Sequence, residues 1–118
     1  MKLSTVLATS VACLLVSAAQ AHAHLEKSTP ADGSTLAAAP AAIEMTFSEA
    51  ARLTVLWIQG DRKPKQVIKD LPAVVDRTLR VALPRLAPGV YTLTWRAVAA
   101  DGHVSSGAVH FTISPNTR

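Results

Sequence analysis

The stretch "VYTLTWRAVAADGHVSSGAVHFTIS" (Val90–Ser114) decides the fold. In its first part Tyr91, Leu93, Trp95 and Ala97 share one face, and near its end Val109, Phe111 and Ile113 do the same. An apolar period of two belongs to strands, whose successive side chains point to opposite faces. Between the two runs stands Asp101-Gly102-His103, and Asp-Gly is a turn-forming dipeptide. The stretch therefore predicts two strands joined by a turn.

The same reading extends outward. "IEMTFS" (Ile43–Ser48) alternates, with Ile43, Met45 and Phe47 turned inward, and "RTLRVALP" (Arg77–Pro84) alternates through Leu79, Val81 and Leu83. "RLTVLWIQG" (Arg52–Gly60) is apolar on both faces and predicts a more buried strand. "DRKPKQ" (Asp61–Gln66) is a charged turn or edge, "APG" (Ala87–Gly89) a turn, and "HLEKS" (His24–Ser28) a first edge strand. Trp95 and Met45 are expected in the core. With about seven short strands, Pro/Gly turns and no convincing helix beyond residue 21, the chain is expected to be all-β. An antiparallel, immunoglobulin-like Greek-key β-sandwich fits best, with a small closed barrel as the alternative.

The first 21 residues read differently. Lys2 supplies a positive start, Val6–Ala19 is an uncharged apolar run, and Ala19-Gln20-Ala21 has the small-x-small form of a cleavage site. Residues 1–21 are thus expected to be a secretory signal peptide, and residues 22–118 one exported domain. The apolar run is short for a membrane span. Cys13 is the only cysteine and leaves with the leader, so the mature domain has neither disulfide nor thiolate. The formal charge of +4 includes Lys2. Scattered basic residues, few aromatics and the export signal argue against a nucleic-acid partner.

A cut after Ala21 makes His22 the mature N-terminus. Its amine and Nδ1 can then close a six-membered chelate ring on a metal ion. Gly102 permits a bend that brings Asp101 and His103 to one point. Together His22, Asp101 and His103 would offer nitrogens and one oxygen in a tetragonal arrangement. That set suits one Cu(II) ion, which also tops the divalent affinity series; zinc, which prefers a tetrahedron, comes second. His24 is an additional or alternative ligand: in "HAH" it stands third, where amine, two backbone amides and imidazole can wrap Cu(II) in a square plane. A strand beginning near His24 would compete for those amides. Glu49 is a further candidate, as an acceptor near the terminal amine. His110 lies out of phase with Val109 and Phe111 and should face solvent.

"HAHLEKSTPADGS" (His22–Ser34), "IEMTFSE" and "YTLTWRAVAADGHVSSGAVHFTI" resemble the CopC-type periplasmic copper-binding proteins, in the shorter, YobA-like variety. The resemblance runs from His22 to Ile113. It implies a Greek-key β-sandwich and a Cu(II) site at His22, Asp101 and His103, with Glu49 in the place of a glutamate that lies near copper in some members. It also implies a CopD-type inner-membrane partner. Some members hold Cu(I) in a methionine-rich loop, whereas this chain beyond the leader has only Met45, on a core-facing position.

Three functions follow as expectations. The first is a monomeric periplasmic Cu(II) carrier or sequestering protein for copper resistance or homeostasis, without turnover. The second is a copper-dependent oxidative enzyme like the lytic polysaccharide monooxygenases, which also use an N-terminal histidine. Asp101 would fill the coordination position such chemistry needs open. The third is a structural sandwich module whose histidines are incidental.

Overall fold

The structure is a computed structural model that describes residues 23–115. Seven strands are present among them: β1 (Leu25–Thr29), β2 (Ser34–Leu36), β3 (Ala42–Gly60), β4 (Gln66–Val67), β5 (Asp76–Ala82), β6 (Gly89–Ala99) and β7 (Val104–Ile113). No described residue is helical.

The long strand β3 organises the sandwich. Its first half lies between β1 and β5, with Met45 opposite both Ser28 and Leu79. Its second half lies between β4 and β6, with Trp57 opposite Val67 and Thr94. One strand thus serves both layers, and the seven strands form a single curled sheet closed over its own apolar face. The change of partners falls at Ser48–Ala51, where the pairing with β5 loses register.

Two expected strands, "IEMTFS" and "RLTVLWIQG", are therefore one. The second is also not apolar on both faces. Leu53, Leu56 and Ile58 are buried while Val55 and Trp57 are only half-buried. A bulge between Leu53 and Val55 shifts the inward phase from odd to even positions, and that shift makes the sequence look uniformly apolar.

The core is the one the alternation predicts. Ile43, Met45 and Phe47 from β3, Leu79 and Val81 from β5, Leu93 and Trp95 from β6, and Val109, Phe111 and Ile113 from β7 are all buried. Phe47 meets Trp95 edge-on with ring centres 5.3 Å apart, a geometry that aligns ring edge with ring face. The Tyr91 hydroxyl donates to the Ala87 carbonyl, the corner arrangement that fixes such turns in sandwiches. β2 was not legible beforehand: it is three residues long and pairs in parallel with the end of β7.

Candidate metal centre

Strands β6 and β7 run antiparallel in unbroken register from Gly89↔Ile113 to Val98↔Val104. The chain then reverses over Ala100–Gly102. The Gly102 amide donates to the Ala99 carbonyl (2.9 Å) and the Ala99 amide donates to the His103 carbonyl (2.9 Å). Gly102 has φ of 88°, in the left-handed region where a side chain is strained, so the tight loop requires glycine here.

This turn brings Asp101 and His103 together. The Asp101 Oδ1 accepts the His103 main-chain N–H at 3.0 Å, and Oδ2 lies 2.7 Å from His103 Nδ1. Hydrogen bonds from the His103 ring and then from its main chain hold the Asp101 carboxyl below the usual carboxylate range. Both side chains are solvent-accessible. Donors on adjacent corners of a square, each about 2.0 Å from a divalent ion, lie about 2.8 Å apart. Oδ2 and Nδ1 already stand close to that separation, and binding an ion would require both groups to turn from each other towards it.

The N-terminal strand reaches the same end of the sandwich. The Ser48 amide donates to the His24 carbonyl (2.8 Å), and the His24 amide donates to Ser48 Oγ (2.9 Å). Ser105 Oγ, two residues beyond His103, donates to the Ala23 carbonyl at 2.8 Å. Residues 23–24 are thereby tied to β3 on one side and β7 on the other. His22 lies outside the described residues, as do the leader and the cleavage site. Among the described residues no three His, Cys, Asp or Glu side chains assemble into a metal cluster.

The remaining candidates separate. Glu49 is exposed and lies within β3, at the change of partners, rather than after a strand end. Met45 is wholly buried. His110 faces solvent as expected but is bound: Asp32 Oδ1 accepts its main-chain N–H (2.8 Å) and lies 3.0 Å from its Nδ1. That contact joins residues 78 apart in sequence, which no local pattern reveals. Ser48 and Ser105 were also missed, because a serine on a strand carries no signal for what it caps.

The described residues thus form an all-β domain of seven strands with a carboxylate–imidazole pair at one hairpin and the N-terminal segment tied beside it. Residues 25–114 match the CopC domain, and the chain belongs to the CopC family. Copper resistance protein C of Pseudomonas syringae pv. tomato is 40% identical over 111 residues, covering 85% of this chain and 87% of that protein. Copper transport protein CutJ of Bacillus subtilis is 36% identical over 101 residues; the match takes in 79% of this chain but 18% of CutJ. The crystal structure of CopC from Methylosinus trichosporium OB3b superposes with a TM-score of 0.68 over 82% of this chain and 98% of that one, at 23% identity, and supports the fold.

Proposed function

We propose that this chain is an exported copper-binding protein of copper resistance or homeostasis. It holds one Cu(II) ion at the β6–β7 hairpin, between the amine and imidazole of His22, the Asp101 carboxylate and the His103 imidazole. The names of the relatives support copper as the cargo. The observation that carries the site is the direction of the N-terminal strand. β1 is antiparallel to β3, with Leu25 opposite Phe47 and His24 bonded to Ser48. Stepping back along the chain therefore leads up β3 towards Ala51, which pairs with Ala99 at the foot of the hairpin. The residue before Ala23 is one peptide further, about 3.8 Å from Cα to Cα. On this path Glu49 follows Ser48 and can accept from the terminal amine, while His24 stays bonded to Ser48.

The chemistry is chelation without turnover. The amine and imidazoles bind only when deprotonated, and the proton between Asp101 and His103 is displaced on loading. Asp101 takes a coordination position, which leaves none assigned to an oxidative reaction. With Met45 in the core, no thioether is offered to Cu(I). Residues 1–21 act as the signal peptide, the domain works as a periplasmic monomer, and a CopD-type inner-membrane protein is the proposed recipient.

Thermal unfolding with and without Cu(II) tests this reading. A ligand that binds only the folded state stabilises it by RT ln(1 + [L]/Kd), about 2.7 kcal/mol at a hundredfold excess over Kd. Copper should raise Tm in the mature protein, and Asp101→Ala and His103→Ala should abolish most of the rise. An equal rise in both variants contradicts the site.

A further inference from the structure

We propose that Ser48 and Ser105 are positioning residues that select how copper is held, an inference that rests on the copper reading above. The mature N-terminus His22-Ala23-His24 contains two competing ligand sets. One uses the His22 amine and imidazole with the hairpin. The other is local: the amine, the backbone nitrogens of Ala23 and His24, and the His24 imidazole, all in one plane around the ion. The local set needs no folded protein and would bypass Asp101 and His103.

The structure opposes it at two points. The His24 nitrogen that the local chelate must use donates its hydrogen to Ser48 Oγ at 2.9 Å. The Ala23 carbonyl of the same peptide unit accepts from Ser105 Oγ at 2.8 Å, and the His24 carbonyl of the next unit accepts from the Ser48 amide at 2.8 Å. These bonds tie residues 23–24, just before β1, to β3 on one side and to β7 on the other. A tripeptide wrapped around an ion must curl so that its nitrogens converge, and it must give up the hydrogen on the His24 nitrogen that now binds Ser48 Oγ. Wrapping therefore requires the His24–Ser48 bond to be broken first.

In this scheme Ser48 and Ser105 act through residues 23–24. Their effect is to withhold His24 N and to aim the chain end at the hairpin. Ser105 lies two residues after His103, so the strand that carries the ligand also carries the clasp.

The test loads one equivalent of Cu(II) into the mature protein beginning at His22 and records its electron paramagnetic resonance and visible absorption. Wild type should give a spectrum that changes in Asp101→Ala. Ser48→Ala/Ser105→Ala should give a four-nitrogen spectrum, shifted to shorter wavelength, that no longer responds to Asp101→Ala and disappears when His24→Ala is added. Ser105→Ala alone, confirmed as folded by near-ultraviolet circular dichroism, should give a mixture of the two spectra, and Ser105→Thr, which keeps the hydroxyl, should match wild type. The inference is overturned if folded Ser105→Ala and the double variant both keep the wild-type spectrum and its dependence on Asp101. A wild-type spectrum indifferent to Asp101→Ala instead sinks the hairpin site itself.

Discussion

Gly107 offers a sharp test of how the two hairpin strands are packed. It sits opposite Trp95 in the β6–β7 register. A Cβ there would lie 2.8 Å from Trp95 Cζ2 and 3.0 Å from both Cε2 and Nε1, where ordinary contacts begin at 3.4 Å. The indole would have to retreat by about 0.6 Å against a close-packed interior. Its retreat is opposed by its packing, since Trp95 is 4% exposed and its edge partner Phe47 is fully buried. Overpacking of this kind costs about 1–3 kcal/mol. Replacing glycine restricts the unfolded chain and returns about 0.4–1 kcal/mol. The net loss for Gly107→Ala is about 1–2 kcal/mol, and at roughly 4–8 °C per kcal/mol Tm should fall by about 5–15 °C. Thermal unfolding of the copper-free mature domain measures it. The clash predicts coupling: in a Trp95→Phe background, whose smaller ring lacks the offending atoms, Gly107→Ala should cost about 1 kcal/mol less. An unchanged or raised Tm, or purely additive losses, would refute the packing argument.

Copper affinity should fall steeply from pH 8 to pH 6, because protons compete with the ion for the amine and imidazole nitrogens; competition titration across that range checks it, and a flat profile contradicts an amine ligand. The Asp32 carboxyl is held low by hydrogen bonds from the His110 main chain and ring. A depressed carboxylate contributes stability that is present above its unfolded value, about 3.9, and is lost as pH falls through the lower folded value. Asp32→Asn should therefore lower Tm slightly at pH 6, and the difference from wild type should shrink as pH falls below the ordinary carboxylate range. Met45→Leu preserves core volume and should cost under about 1.5 kcal/mol while leaving copper affinity unchanged; a loss of copper binding would show that Met45 reaches the ion.

The sheet was legible where one face is buried and the other wet. Leu79 and Val81, or Val109, Phe111 and Ile113, announce their strands because alternation survives when no residue is inserted. β3 was misread for the opposite reason: its bulge after Leu53 scrambles the period, and its bend at Ser48–Ala51 looks like a strand end. The Asp101–His103 pair was legible because both members sit in one turn. Asp32–His110 and Ser105–Ala23 were not, since their partners meet only after the sheet has closed. The carboxylate and imidazole could be read from spacing; the serines that tie the N-terminal strand beside them could not.

The central claim is that the N-terminal amine made by processing is itself a copper ligand. The most direct measurement titrates Cu(II), against a competing chelator, into mature protein beginning at His22 and into the same protein with one alanine placed before it. The added residue leaves every side chain in place but turns the amine into an amide. Binding should weaken by several orders of magnitude, on the order of 4 kcal/mol for a thousandfold loss. Equal affinity in the two proteins would contradict the account and leave Asp101 and His103 as a hydrogen-bonded turn.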